Sequence, residues 1–225
     1  MSNKAVIALY VLPSVLLLLS IVYVPILFTG YYGFFDWNGG SDMQFTGLDN
    51  YRKLLRDQQF WDSAWHSLWF ALMSTLSLIV YLLVALLLSG KLRGSNLLRK
   101  IYLVPMLLSS VAIAQLWLKV YHPSSGILNT FLESIGVKNT PNWLADPGIV
   151  LWAIFVPILW QYAGFYILIY YAVLKNIPES IIEAARIDGA SPLAIAFRIK
   201  VPLISEVIKV TVVLAVVGSL KYFDL

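Results

Sequence analysis

The sequence predicts an all-α membrane protein whose chain crosses the bilayer several times. Hydrophobic residues make up 60% of the 225 positions and charged residues only 12%, far more apolar surface than a soluble domain of this length needs. The apolar residues are gathered into long runs of roughly 20 residues, the length of a membrane-spanning helix. Tryptophan (8) and tyrosine (13) are plentiful, and their rings favour the interface between membrane and water.

Five apolar runs predict five spans of a helical bundle. They cover about 5–28, 64–88, 101–120, 149–174 and 207–222. The first run is too long for a signal-peptide core and has no small-residue cleavage site after it, so we interpret it as a retained helix. We treat residues 1–225 as a single transmembrane domain. Since no polar tail follows the last run, we expect a sixth helix to be missing and the C-terminus to be truncated.

The basic residues of the connecting segments orient the predicted spans. Nine lie at the N-terminus and in loops two and four: Lys4, Lys91, Arg93, Arg99, Lys100, Lys175, Arg186, Arg198 and Lys200. Four lie in loops one and three: Arg52, Lys53, Arg56 and Lys138. Lysine and arginine accumulate in short loops on the cytoplasmic side. The N-terminus and loops two and four are therefore predicted to be cytoplasmic.

The first loop is predicted to contain a short amphipathic helix on the outer surface. Asp49 can stand in its first turn, and the apolar residues of the stretch recur at helical spacing. These residues are Leu48, Tyr51, Leu54 and Leu55.

The fourth loop, residues 175–205, carries the most structural signals, and we call it the elbow. Pro178 suits the first turn of a helix, and Gly189 can adopt the left-handed conformation that ends one. Ser191 can cap a second helix, which Pro202 then breaks before the fifth run. The elbow is therefore predicted to be two short helices joined at a glycine.

Two interpretations of the elbow stay open from the residues alone. Glu183, Arg186 and Asp188 surround the small residues Ala184 and Ala185. Small residues within a ring of charge suit docking into a cleft of another protein, because a partner backbone can come close. The alternative is an amphipathic loop that lies at the membrane surface without a partner.

A family resemblance bears on this choice. The stretch Glu183-Ala-Ala-Arg-Ile-Asp-Gly189, followed by Ile199-Lys-Val-Pro-Leu203, resembles the EAA motif of permease subunits of binding-protein-dependent ABC importers. The flanking residues are similar to the carbohydrate-uptake branch of these permeases, whose members include maltose-type and glycerol-3-phosphate-type proteins. Gly47-Leu-Asp-Asn-Tyr51 in the first loop resembles the same branch. The resemblance extends from Gly30 to the end of the chain.

The resemblance implies a helical bundle of the type I ABC importer permease kind, in the inner (cytoplasmic) membrane of a bacterium or archaeon. It implies that the elbow holds the coupling helix, which sits in a groove of a cytoplasmic ATPase and transmits its motion. Carried over by position, the coupling residues are Glu183, Ala184, Ala185, Arg186, Asp188 and Gly189. The implied partners are a second permease subunit, an ABC ATPase dimer and an extracytoplasmic protein that binds a sugar.

Several kinds of chemistry are missing from the sequence. Gly90-Lys91 lacks the upstream glycine and the following hydroxyl of a phosphate-binding loop. We therefore expect no cofactor in this chain, and ATP hydrolysis by a partner. His66 and His122 lie far apart without clustered carboxylates, and there is no cysteine, which argues against a metal site. No basic stripe indicates nucleic-acid binding, and no histidine-activated nucleophile indicates an enzyme.

Polar and aromatic residues inside the apolar runs are candidates for a substrate path. Gln161, Tyr162 and Tyr166 follow Pro157 in the fourth run, and Gln115 lies in the third. Aromatic faces, amides and hydroxyls suit sugar recognition, and a polar group inside a membrane is a functional candidate. The alternative for each residue is a hydrogen bond between helices or, for the rings, a place in the aromatic belt.

Two other classes of protein were possible. A secondary transporter or channel for a small polar solute would need ionisable residues at the membrane midplane, whereas Lys119, Glu206 and Lys209 lie near the ends of runs. A membrane enzyme would need a cluster of carboxylates, histidines or nucleophiles, and the sequence shows none. A sugar importer permease is therefore the leading interpretation.

Overall fold

The computed structural model describes residues 3–40, 42–90 and 95–221. The chain forms two compact units, Met1–Ala64 and Trp65–Leu225. Within the described residues the regular structure is helical apart from one pair of two-residue strands. The predicted all-α class is confirmed.

The first unit begins with a long apolar helix. α1 (Asn3–Leu18), a π-helical turn (Leu19–Tyr23) and α2 (Val24–Tyr32) follow one another directly. Pro25 has no N–H for the turn before it, and the wider π turn lies just ahead of it. The hydrophobic surface of this helix is not buried within the chain. Such a helix suits lipid, where its backbone groups are paired internally and its side chains face hydrocarbon.

The first loop contains a small hairpin and the predicted helix. β1 (Phe35–Asp36) pairs antiparallel with β2 (Gln44–Phe45), with Phe35 opposite Phe45. α3 (Asp49–Arg56) follows, which confirms the helix that the spacing of apolar residues predicts.

Two side chains of α3 fasten this loop to the end of α2. Nδ2 of Asn50 donates hydrogen bonds to the carbonyl oxygens of Gly33 (3.2 Å) and Phe35 (2.9 Å). The hydroxyl of Tyr51 donates to the carbonyl oxygen of Gly30 at 2.7 Å. The bonds to Gly30 and Gly33 satisfy carbonyls that the end of a helix leaves unpaired.

Three helices of the described chain are long and apolar enough to cross a membrane, and two bent pairs raise that number to five if each pair is one span. The three are the first helix, α4 (Gln58–Ser89) and α8 (Val150–Lys175). α4 begins six residues before the predicted boundary at residue 64. Besides α3, two short helices of the described residues lie outside these spans: α7 (Ile127–Ser134) in the third loop and α9 (Glu179–Ile187) in the elbow.

The third run is broken rather than continuous. Its limbs are α5 (Ser95–Leu103) with a 3-10 turn (Pro105–Leu107), and α6 (Ser110–Val120), and they meet at 104°. We call residues 108–109 the break. Both are extended, with ψ of 146° and 150°, and the Oγ of Ser109 accepts a hydrogen bond from the first turn of α6 at 3.2 Å. The cap restarts the helix in a new direction.

The fifth run is bent by 70° where it leaves the elbow. Its first limb comprises α10 (Pro192–Ala194), a π-helical turn (Ile195–Lys200) and α11 (Val201–Leu203), and its second is α12 (Ser205–Ser219). The predicted break at Pro202 is displaced, because the helix continues through Pro202 and bends at Ile204 (φ −102°, ψ 12°). Pro202 stands in the first turn of α11, where a missing N–H is tolerated.

The main core of the second unit lies between α4, α8 and α12. Tyr81 of α4 stacks on Tyr166 of α8, with ring centroids 5.7 Å apart and planes at 4°. Tyr170 of α8 hydrogen-bonds Thr211 of α12 at 2.6 Å, and neither residue is exposed. This bond joins the helix that enters the elbow to the helix that leaves it.

Candidate functional site

The backbone of the elbow forms the predicted helix–glycine–helix arrangement. Pro178 is extended (φ −56°, ψ 130°) and stands just before α9, one position earlier than predicted. Gly189 has φ +79°, and the N–H of Ala190 donates to the carbonyl oxygen of Ala185 at 2.9 Å, which closes the end of the helix. Ser191 caps the next helix, as predicted, with Oγ 3.2 Å from the N–H of Ala194.

The inner face of α9 packs within the elbow. Ile182, Ala185 and Ile195 are buried against one another, with Ala190 partly buried beside them. Ala185, which the motif places among the coupling residues, is only 8% exposed, so it lies on the inner face rather than the outer one. Its small side chain lets the two limbs of the elbow pack closely, so a larger residue there would separate them.

The outer face of α9 is exposed and mixed in character. Glu183, Ala184, Arg186 and Asp188 all face solvent, and Nη1 of Arg186 lies 3.4 Å from Oε1 of Glu179. Sequence reasoning overlooked Ile187, which is 86% exposed. The sequence does indicate this exposure, because Ile187 does not lie on the helical face that holds Ile182 and Ala185.

A groove of about 930 Å³ separates the end of α4 from the elbow. Its walls include Leu86 and Leu87 of α4, Leu193 of α10, and Phe197 of the π-helical turn that follows α10. The lining of the groove also includes Lys200, whose side chain is partly buried. The elbow therefore presents an open apolar side next to its charged outer face.

The candidate path residues of α8 differ in their surroundings. Gln161 and Gly164 lie on the buried face of α8, and the amide of Gln161 has no hydrogen-bond partner among the described residues. Tyr162 and Tyr166 lie one turn apart on α8 but differ in burial, since Tyr166 is 8% exposed and Tyr162 is 36% exposed. Tyr166 points to Tyr81 in the core, whereas Tyr162 lies a turn away from that contact. Gln115 is exposed on α6.

The limb that leads into the break lies against α8. Gly164 has no room for a Cβ, because the carbonyl oxygen of Tyr102 in α5 occupies that position. The N–H groups of Ser110 and Val111, at the start of α6, have no acceptor among the described residues. Unpaired backbone at membrane depth is tolerated only where protein or a water-filled cavity surrounds it. In the sequence, Pro105 followed by Ser109-Ser110 indicates the break. A hydropathy average does not reveal it, because the run as a whole is apolar.

A family model described as the inner membrane component of binding-protein-dependent transport systems matches residues 82–225. The matched region holds α8, the elbow and α12, and it makes up more than half of the sequence. The chain belongs to this family. It is therefore a permease, a multi-pass component of the inner membrane that takes part in transport and is not an enzyme.

Relatives support the assignment over almost the whole permease. A probable ABC transporter permease protein of Pyrococcus horikoshii is 35% identical over 221 residues, which cover 97% of this chain and 76% of the relative. The trehalose/maltose transport system permease protein MalF of Thermococcus litoralis is 32% identical over 219 residues, which cover 96% of this chain and 74% of the relative. A xylose/arabinose import permease protein of Haloferax volcanii is 40% identical over 132 residues, which cover 59% of this chain and 41% of the relative.

Two crystal structures of bacterial alginate ABC transporters contain a chain with the same fold. The first has a TM-score of 0.81 at 24% identity and covers 95% of the permease and 72% of that chain. The second has a TM-score of 0.80 at 23% identity and covers 98% and 75%. These likenesses establish the ABC importer fold of the permease.

Proposed function

We propose that the permease imports a carbohydrate that an extracytoplasmic binding protein delivers. A second permease subunit completes the path, and a separate cytoplasmic ATPase dimer binds and hydrolyses ATP. The named solutes of the relatives support the substrate class: trehalose and maltose, xylose and arabinose, and diacetylchitobiose. One of the alginate transporters was crystallised with a pentasaccharide-bound periplasmic protein.

The observation that carries the proposal is the two-sided construction of the elbow. Its inner face is packed and its outer face is exposed, so a protein that holds the outer face moves α9 as a unit. In this proposal Glu183, Ala184, Arg186 and Asp188 contact the ATPase. Ala185 and Gly189 act differently, because they shape the elbow and do not touch the partner.

The motion of α9 passes to the membrane through the two helices on either side of it. α8 ends at Lys175, four residues before α9, and α12 begins at Ser205. The Tyr170–Thr211 hydrogen bond ties these helices together within the core. A push on the elbow therefore tilts both helices, and the break beside α8 moves with them.

The substrate path is proposed to pass the break and Gln161. The backbone N–H groups of Ser110 and Val111, next to the break, and the amide of Gln161 can donate to sugar hydroxyls. Gln115 and Tyr162 stand at exposed positions that can line the same path, whereas Tyr166 supports it from the core. The N-terminus is proposed to be cytoplasmic, on the same side as the elbow, because nine of the thirteen loop lysines and arginines lie on that side.

The test is reconstitution of the permease with its second permease, ATPase and binding protein in lipid nanodiscs. A sugar that raises ATPase activity only when the binding protein is present would support the proposal. Glu183→Arg should abolish this stimulation or release the ATPase, because it reverses a charge on the outer face of α9. Glu133→Arg on α7, an equally exposed acid, is the matched control and should have no effect. Sugar stimulation that survives Glu183→Arg unchanged would contradict the coupling assignment.

A further inference from the structure

A second polar site lies at the far end of α6 from the break. A cavity of about 110 Å³ is formed there by α6, α8 and the third loop, and we call it the outer cavity. Its apolar walls include Leu118, Leu144 and Pro157, and its polar groups belong to Trp117 and Tyr121. α6 has 11 residues, so the two sites are about 15 Å apart along the helix.

Both polar groups of the outer cavity lack a partner. Tyr121 is 4% exposed, and its hydroxyl has no hydrogen-bond partner among the described residues. Nε1 of Trp117 is buried and also has no acceptor there. Burial raises the pKa of Tyr121 to about 12, so the hydroxyl stays neutral and keeps its proton at physiological pH. Buried donors are normally paired, and Nε1 of Trp117 is one of two buried side-chain atoms without a partner among the described residues.

The unpaired tyrosine is held rigidly in place. Its ring lies 5.1 Å from that of Trp117 and is stacked 5.8 Å from that of Trp143. Nε1 of Trp143 donates to Oδ1 of Asn129 at 2.7 Å, and Asn129 in turn donates to the carbonyl oxygen of Pro123 at 3.0 Å. A group that its neighbours fix in this way needs no reorganisation to bind a ligand.

We propose that the outer cavity is a carbohydrate subsite at the entrance of the path. There the hydroxyl of Tyr121 hydrogen-bonds a sugar hydroxyl, and aromatic surface covers the apolar face of the sugar ring. The proposal rests on the proposed function, which brings a sugar to this end of α6. The cavity is smaller than the 300–1,000 Å³ of typical ligand pockets, so it suits the edge of one ring. A sugar held there would next move along α6 to the break.

Transport kinetics of the complete, reconstituted transporter test the subsite. Maltose and xylose serve as probes at saturating binding protein. Tyr121→Phe keeps the ring stack and removes only the hydroxyl, so the KM for the accepted sugar should rise by between about twofold and tenfold, with kcat preserved. Tyr10→Phe, at a 79% exposed position, is the matched control. An unchanged KM would mean that water alone fills the cavity and would overturn the proposal, as would a fall in kcat alone.

A binding measurement separates this proposal from the proposed function. Nitrophenyl maltoside and nitrophenyl xyloside quench tryptophan fluorescence, and Trp117 and Trp143 flank the cavity. Without binding protein or nucleotide, wild-type transporter should show saturable quenching that Tyr121→Phe weakens severalfold. Equal quenching in the two proteins, or none in the wild type, overturns the subsite even where sugar-stimulated ATPase activity upholds the function. Tyr121-dependent quenching without any sugar-stimulated activity leaves the subsite standing and refutes the function.

Discussion

The hydrogen bond between Tyr170 and Thr211 gives a prediction that the structure makes quantitative. The two oxygen atoms are 2.6 Å apart, and both residues are fully buried. Oγ1 of Thr211 donates its single proton to the carbonyl oxygen of Ile208 at 2.8 Å. Tyr170 must therefore be the donor in the bond between the helices, and Thr211 the acceptor.

This direction predicts that the two substitutions differ in cost. Tyr170→Phe leaves Thr211 with its bond to Ile208, so the loss should be about 0.6 kcal/mol, the average for hydrogen bonds between membrane helices. Thr211→Val keeps the side-chain shape but leaves the Tyr170 hydroxyl buried without an acceptor, which costs about 1–3 kcal/mol. In the double variant that orphaned hydroxyl is gone. Its total cost should therefore be smaller than the sum of the single effects.

The assay is the free energy of unfolding in detergent, followed by tryptophan fluorescence during chemical denaturation. Thr75→Val is the matched control, because Thr75 donates to its own helix at the carbonyl oxygen of Ala71 (2.8 Å) and bonds no other helix among the described residues. The reasoning is refuted if Tyr170→Phe costs more than Thr211→Val. It is also refuted if the two effects add to within about 0.3–0.5 kcal/mol, the additivity expected of independent sites.

Three further predictions concern glycines and the third loop. Gly164→Ala should destabilise the permease by several kcal/mol or prevent assembly, because its Cβ meets the backbone of Tyr102. Gly218→Ala, also helical but with nothing within 4 Å, should be tolerated in the same unfolding assay. Gly189→Ala should lower the free energy of unfolding by about 1–2 kcal/mol and weaken the retention of the ATPase on co-purification. Gly189→Asn should retain more of the ATPase than Gly189→Ala does, since asparagine tolerates positive φ. Asn129→Ala orphans the Trp143 N–H and should speed hydrogen exchange across the third loop; unchanged exchange would contradict this.

The elbow was the part of the fold most accessible from the sequence. Glycine at position 189 and serine at position 191 carry their conformational preferences with them, and the structure has φ +79° at the first and a side-chain cap at the second. The helix over 49–56 was predictable for a similar reason, since helical spacing of apolar residues is a local property. Both features depend on neighbours only a few residues away.

The candidate path was much less accessible. Hydropathy could not reveal the break, because residues 108–109 lie inside an apolar run, and the close contact of α5 with Gly164 of α8 joins residues distant in sequence. Nor could it separate Tyr162 from Tyr166, since their exposure is decided by the position of α4. The outer cavity also required the fold, because Tyr121 and Pro157 are distant in sequence.

The sequence by itself determined that this chain spans a membrane, that it carries a helix–glycine–helix elbow between two apolar runs, and that its motif is that of a transport permease. The first two conclusions follow from composition and local backbone preference, and the third from the resemblance of the motif to that of a known family; none needs knowledge of the fold. Only the tertiary structure decided which side of the elbow is free to bind a partner. Burial depends on contacts between distant residues, and the contact with Ile195 turns Ala185 inward while Ile187 remains exposed.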